Sequence, residues 1–136
     1  MNKVFKGNGL VKKGIIEAPV LITRERLGFL GFTNAKEGIF SSHMTELYGQ
    51  SFKGKILIYT SGKAATGGAR AIGLTARAGN APAAIVNIEI DPITVAGCSI
   101  NDIPFVKVDD PEIFNELKNG DIVVLNTISG SLTKKE

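Results

Sequence analysis

The chain has 136 residues, with 16 basic and 13 acidic side chains, a net charge of +3 and 43% hydrophobic residues. This length fits one domain, and the composition is that of an ordinary globular protein, which excludes a chain that is disordered throughout. One cysteine and one histidine exclude a disulfide scaffold, a structural zinc and an iron–sulfur cluster held within this chain, and the small, scattered charge argues against nucleic-acid binding.

The first 60 residues have the pattern of β-structure. Apolar and β-branched segments separated by glycines predict strands at Lys3–Lys6, Gly14–Arg24 and Gly28–Phe32. Residues 33–52 then form a long crossing with no regular pattern. A crossing of that length is uncommon in a compact domain and is often functional.

From Lys53 onward, predicted strands and helices alternate. Short apolar runs predict buried strands at Ile56–Thr60, Ala83–Ile90, Pro104–Val108 and Asp121–Asn126, with a final turn at Gly130. Helices are predicted at Ala69–Ala78 (closed by Gly79), at Pro92–Cys98 (capped by Asp91) and from Pro111 to Asn119–Gly120 (capped by Asp109 or Asp110). We therefore predict a single α/β domain over residues 1–136. Its sheet is mixed and partly parallel, with a β-rich first half and a βαβαβ second half.

The loop Ser61–Gly68 contains most of the residues that could carry chemistry. It leaves a predicted strand and enters a predicted helix, at the edge of an α/β sheet where ligands bind. A helix N-terminus offers unpaired N–H groups and a partial positive charge, and glycines let an anion approach the backbone. The predicted anion-binding residues are Gly62, Lys63, Gly67, Gly68 and Arg70, and the hydroxyls beside them are Ser61 and Thr66.

Pattern alone does not separate an anion site from an ordinary turn at this loop. The P-loop spacing fails because Gly67 is followed by Gly68 and Ala69, and the glycine pattern of dinucleotide-binding folds is absent. A plain strand-to-helix turn, with Thr66 as the helix cap, is therefore the alternative interpretation.

Other polar residues are interpreted as structural or solvated. His43 is expected to be a surface or structural residue, with a site role as the less favoured alternative. Cys98 lies among apolar neighbours and is expected to pack in the core. Glu89 and Asp91 have the spacing to share one side of a strand end, but solvation and helix capping are the preferred interpretations.

Spaced motifs stand in a fixed order between Leu47 and Val106. They are Leu-Tyr-Gly-Gln-Ser-x-x-Gly-Lys at Leu47–Lys55, Ser-Gly-Lys at Ser61–Lys63, Gly-x-Ala-Pro-Ala-Ala-Ile at Gly79–Ile85, and Pro-Ile…Ala-Gly…Ile-Pro-x-Val at Pro92–Val106. Together they resemble the small subunit, or swivelling domain, of the aconitase X family. The segment Gly28–His43 resembles that family more weakly.

This resemblance implies a swivelling β/β/α domain that closes over an active site held mainly by a larger partner chain. The iron or iron–sulfur centre is expected in that larger subunit, with no metal and no cofactor bound by this chain. Family members are dehydratases that act on phosphomevalonate or cis-3-hydroxy-L-proline. We therefore expect the small subunit of a heteromeric hydro-lyase, inactive without its large subunit. Its substrate is expected to be a small carboxylate or phosphate anion, and both named substrates suit the loop.

The chain departs from the family pattern at the residue that the resemblance implies is the catalytic base. Family members carry Gly-Ser-Ser or Gly-Ser-Thr after the Gly-Lys/Arg pair, whereas this chain has Ala64-Ala65-Thr66, so position 65 has no hydroxyl. We expect Thr66 to act as the base, with Ser61 second; a base from the partner, or another chemistry, are further alternatives. The missing serine also leaves open a non-catalytic or regulatory module that binds a small anion.

The expected location of the protein is the cytoplasm. No apolar run approaches the roughly 18 residues of a membrane span, and the first ten residues lack the apolar stretch of a signal peptide. We accordingly expect no membrane partner and no nucleic-acid partner.

Overall fold

The computed structural model describes residues 3–136. The strands are β1 (Val4–Phe5), β2 (Gly7–Val11), β3 (Ile15–Ile22), β4 (Arg26–Leu27), β5 (Thr33–Asn34), β6 (Ile39–Phe40), β7 (Ile56–Tyr59), β8 (Ser61–Gly62), β9 (Ala84–Asn87), β10 (Phe105–Val108), β11 (Ile122–Asn126) and β12 (Ser131–Lys134). The helices are α1 (Gly68–Arg77), α2 (Pro92–Ile100) and α3 (Ile113–Glu116).

Eight of these strands form one mixed sheet, in the order β1-β12-β11-β3-β7-β9-β10-β2. The central strands β3, β7, β9 and β10 run parallel, and the flanking pairs are antiparallel. Strands β1 and β2 lie at opposite ends of this order although only Lys6 separates them in the chain. Because neighbouring Cα atoms are about 3.8 Å apart, the two ends must come together. The sheet therefore curves back on itself into two packed layers.

Two apolar cores cover the two faces of the parallel strands. Along β7, Ile56 and Ile58 face the core between the sheet layers, whereas Leu57 and Tyr59 face the core beneath the helices. A strand that is covered on both faces needs apolar residues throughout, which explains the continuous apolar runs in the sequence. This β/β/α layering confirms the predicted fold class.

Helices α1 and α2 pack side by side on the second core. A Cβ atom added at Gly97 of α2 would lie 3.0 Å from the Cα of Ala69 in α1, so the absence of a side chain there permits close contact. Both helices follow parallel strands of the sheet, β7 and β9 respectively. Their N-termini therefore lie at the same edge, where the carboxyl ends of these strands meet.

Most predicted elements of the second half are confirmed, with bounds that differ by a few residues. The predicted strand Gly28–Phe32 is wrong: this segment is bends and turns, and its apolar residue Phe29 is buried beside Phe40 and Phe52. Apolar residues mark burial there rather than strand pairing. The helix predicted from Pro111 is only the short α3, and the crossing 33–52 contains the small hairpin β5–β6.

Among residues 3–136, no helix is long and apolar enough to cross a membrane.

Candidate functional site at the loop Ser61–Gly68

The loop lies between a hydrogen-bonded strand and the start of α1. Strand β8, which begins the loop, pairs in parallel with β4, and Ser61 is only 3% exposed there. The following residues, from Lys63 to Thr66, are exposed. The exposed part of the loop is therefore anchored by backbone structure on both sides.

Gly62 is enclosed by the first turn of α2. A Cβ atom added at this position would lie 2.1 Å from Oδ2 of Asp91 and 2.3 Å from Oγ1 of Thr94. Contacts that short do not occur, so either the loop or α2 would have to move to accept a side chain. Position 62 requires glycine because another element packs directly against its backbone.

One buried carboxylate connects the loop to α2. Asp91 is 5% exposed, and its Oδ1 accepts a hydrogen bond from the Ile93 backbone N–H at 3.2 Å, which caps α2 as predicted. Its Oδ2 accepts from Thr94 Oγ1 at 2.8 Å and from the Ala64 backbone N–H at 3.4 Å. The cap of one helix is thus also a contact to the loop that precedes the other.

Ala64 has a left-handed backbone conformation, with φ of 55°. This region favours glycine, and a side chain there costs about 1 kcal/mol. The resemblance described above implies glycine at this position. The chain therefore keeps a bend suited to glycine although the residue is alanine.

No side chain of the described residues caps the N-terminus of α1. The N-cap residue is Gly67, and the Gly68 N–H donates to the backbone oxygen of Ala65 at 2.9 Å. The alternative expectation that Thr66 caps this helix is therefore wrong. The partial positive charge of the helix start faces the loop without a side-chain acceptor from this chain.

Two cations flank the loop. Lys63 and Arg70 are both exposed, and neither takes part in an ion pair within residues 3–136. The Nζ atom of Lys63 lies 4.8 Å from the ring centroid of Phe32. Such an exposed cation–π contact contributes about 0.5–1 kcal/mol, which favours one position of the lysine without removing its charge from the surface.

The loop encloses almost no space by itself. The cavity beneath it, lined in part by Lys63, Ala65, Asp91 and Thr94, measures about 10 Å³, which is near the lower limit for a single water molecule. A much larger groove of about 560 Å³ lies at the opposite end of α1, beside Gly79 and the ion pair between Lys13 and Asp102. A substrate at the loop would therefore lie on an open face.

The remaining candidates are structural or exposed. His43 is exposed and stacks on Tyr48, with ring centroids 3.9 Å apart. Glu89 pairs with Arg26 at 2.7 Å rather than with Asp91. Cys98 is fully buried, and burial raises the pKa of its thiol to about 12, so it is neutral and unreactive. Within residues 3–136, no three His, Cys, Asp or Glu side chains are grouped so as to hold a metal ion.

The contact between Asp91 and the loop was missed at the level of sequence. The sequence identified Asp91 as a helix cap, and the structure adds its contacts to Gly62 and Ala64. A usable signal existed, since Asp91 follows a strand whose carboxyl end meets the same edge as the loop.

Comparisons with known proteins place the chain in a family. The profile of the aconitase X swivel domain matches residues 4–134, and the chain belongs to this family. A Methanosarcina acetivorans protein named phosphomevalonate dehydratase small subunit is 36% identical over 120 residues, which cover 88% of this chain and 83% of that protein. A protein of the same name from Methanothrix thermoacetophila is 40% identical over 117 residues, covering 85% of this chain and 84% of that protein.

A solved structure has the same fold. One chain in the crystal structure of Thermococcus kodakaraensis aconitase X, in its holo-form, superposes with a TM-score of 0.90 and is 34% identical. The match covers 98% of this chain and 99% of that one, so the two chains are nearly equal in length. The resemblance stated from the sequence motifs is confirmed.

Proposed function

We propose that this chain is the small subunit of a phosphomevalonate dehydratase and removes water from that substrate together with a larger subunit. The observation that carries the proposal is the match to relatives of that name, 36% to 40% identical over at least 83% of their length. Their name, small subunit, supports a larger partner for this chain as well.

The geometry of the loop supports a site completed by a second protein. Thr66, Lys63 and Arg70 are exposed around an uncapped helix N-terminus, and the space under the loop is too small for a substrate. Excluding water from a reaction at this face requires a second surface over it. The larger subunit would supply that surface.

Binding of the substrate would use the charges at the start of α1. The N–H groups near Gly67 and Gly68 carry the partial positive charge of the helix, and the glycines let a phosphate or carboxylate come close. Lys63 and Arg70 would add their full charges, and Gly62 would shape the backbone beneath. All five residues of the predicted anion site belong to this proposal.

Thr66 is the proposed base. Elimination needs a group that takes a proton from the carbon next to the one that bears the hydroxyl. The electron pair of that C–H bond forms the carbon–carbon double bond, the C–O bond breaks, and the departing hydroxide takes up one proton, so the substrate loses one proton and one hydroxide as water. A neutral hydroxyl is a poor base, so Thr66 Oγ1 depends on nearby positive charge to favour its deprotonated form. Ser61 remains the second candidate, although its 3% exposure means that the loop would have to shift before a substrate could reach it.

The metal centre belongs to the larger subunit in this proposal, as the resemblance implies. Within residues 3–136, no three His, Cys, Asp or Glu side chains are grouped so as to hold such a centre. Within the complex, this chain would bind the anionic substrate and move the proton.

Reconstitution tests the proposed function. Phosphomevalonate is a phosphorylated 3-hydroxy acid, so dehydration creates a carbon–carbon double bond whose vinyl proton is visible by ¹H NMR. We expect this signal when the chain is mixed with its larger subunit, and no signal from either chain alone. Turnover by this chain alone, or turnover of cis-3-hydroxy-L-proline but not of phosphomevalonate by the pair, would contradict the proposal.

A non-catalytic anion-binding or regulatory module is the second candidate, and Ala65 is the observation that favours it. The side chain at this position has no hydroxyl where the family pattern has serine. In that case the isolated chain binds inorganic phosphate at the loop, while replacing Thr66 or Ser61 leaves the turnover of the complex unchanged.

A further inference from the structure

We propose that Asp91 is a positioning residue: its buried carboxylate holds the segment Gly62–Ala64 in the bent conformation that presents Lys63 and Thr66 at the surface. The roles of Lys63 and Thr66 rest on the proposed function, whereas the holding of the loop does not.

The surroundings of Asp91 exceed what a helix cap requires. Capping α2 uses only Oδ1, which accepts from Ile93. Oδ2 accepts from Thr94 and Ala64 and lies against the backbone of Gly62. Within residues 3–136 no cation forms an ion pair with Asp91, so these donors are the groups that satisfy the buried carboxylate. Hydrogen bonds to an ionised acceptor are stronger than those between neutral groups, so the carboxylate fixes the groups that donate to it.

The loop needs such support because its conformation is unfavourable by itself. Ala64 adopts a left-handed backbone that an alanine rarely populates without surrounding constraints. Its N–H points to Oδ2 of Asp91, and Gly62 two residues earlier is in contact with the same oxygen. Without that oxygen, Ala64 would be free to return to an ordinary conformation, and Lys63 and Thr66 on either side would move with it.

A second aspartate of this chain serves as a matched control. Asp110 Oδ1 accepts from the Glu112 N–H at 2.9 Å at the start of α3, and its Oδ2 lies 3.4 Å from Nζ of Lys3. Asp110 thus accepts from the backbone N–H two residues on, as Asp91 does, but its partners within residues 3–136, Glu112 and Lys3, lie outside the loop. Replacing either aspartate by serine keeps a short side chain that can cap the local N–H groups and removes the second oxygen.

The test measures backbone order parameters of the full chain by ¹⁵N relaxation. We expect those of residues 63–66 to fall from about 0.85 to below about 0.6 in Asp91→Ser and to remain unchanged in Asp110→Ser. If Asp91→Ser fails to fold, Asp91→Asn replaces it, since the amide keeps one acceptor for the cap and loses the other. Two results would overturn the proposal: unchanged order parameters of residues 63–66 in a folded Asp91 variant, or an equal fall of these order parameters in Asp110→Ser.

Activity of the complex with the larger subunit gives the second readout. We expect kcat to fall at least tenfold in Asp91→Ser and less than twofold in Asp110→Ser. The double variant Asp91→Ser/Ala64→Gly should have a kcat at least threefold higher than that of Asp91→Ser, because glycine adopts the left-handed bend without support. No rescue would contradict the positioning role. If even the unmodified complex lacks activity, the proposed function fails, while the relaxation data still decide the role of Asp91.

Discussion

The two helices that begin at the same edge of the sheet start in opposite ways. Helix α2 begins with Pro92, and the buried Asp91 caps it. Helix α1 begins with two glycines and has no side-chain cap from the described residues. A side chain of the chain thus caps one of the two helices, whereas no side chain of the described residues caps the other. The open start beside exposed cations is the feature on which the proposed binding of an anion depends.

The same carboxylate contributes to both halves of this comparison. Asp91 closes α2 through Oδ1 and shapes the loop before α1 through Oδ2. The loop before α1 is therefore held by the residue that caps α2. Substitutions at the two helix starts should affect activity and stability to different degrees.

The largest effect is expected at the open start. Replacing Thr66 by Val keeps the shape of the side chain and removes the hydroxyl, so kcat of the complex should fall by about 10²–10⁴, as is typical when a general base is lost. Thr66→Ser is the matched control and should keep a substantial part of the activity. The measurement is steady-state turnover of phosphomevalonate. Unchanged kcat in Thr66→Val together with a large loss in Ser61→Ala would assign the role to Ser61 instead.

The next effect is expected where the two helix starts meet. Gly62→Ala forces a methyl group to within 2.1 Å of Asp91, which should destabilise the fold by about 3 kcal/mol, at the upper end of overpacking effects. Gly68→Ala is the control, because its Cβ would lie 3.4 Å from Ile93, an ordinary contact. Denaturant unfolding of the isolated chain gives both values. Equal stability of the two variants would show that Gly62 is not tightly enclosed.

The smallest effect is expected on the closed helix, as a dependence of stability on pH. Burial raises the pKa of Cys98 on α2 from 9.0 to about 12, so the stability linked to the neutral thiol is complete below pH 9 and is lost as pH rises toward 12. Between pH 7 and pH 10 the wild-type chain should therefore lose about 1–2 kcal/mol more free energy of unfolding than Cys98→Ala. Urea unfolding at the two pH values measures this difference. Equal losses of unfolding free energy in the wild-type chain and in Cys98→Ala would contradict burial of the thiol.

The predictable parts of the fold are those in which one local rule dominates. Apolar runs such as Ile56–Thr60 predicted the buried parallel strands, here β7 at Ile56–Tyr59, because both faces of these strands are covered. Strand β2 was missed because Gly7 and Gly9 are typical of loops. In the structure they permit close backbone packing, since a Cβ atom at Gly9 would lie 1.7 Å from the carbonyl oxygen of Thr127. Contacts between segments distant in sequence are not encoded in any local pattern.

In the candidate site, too, the features set by local sequence could be predicted and the contacts between distant segments could not. The hydroxyls, cations and glycines of the loop are consecutive in sequence and could be identified together. The contact between Asp91 and Ala64 spans 27 positions and depends on how α2 packs beside the loop. The left-handed backbone of Ala64 was equally hidden, because alanine carries no sign of it.

The joining of β1 and β2 through Lys6 has a consequence for the integrity of the whole sheet. One short segment covers two strand edges, because β1 pairs with β12 and β2 pairs with β10. A single proteolytic cut just before Lys13 would therefore remove both β1 and β2 from the sheet. Two unpaired strand edges would then be available for intermolecular pairing, so the segment from Val4 to Val11 protects this domain against aggregation.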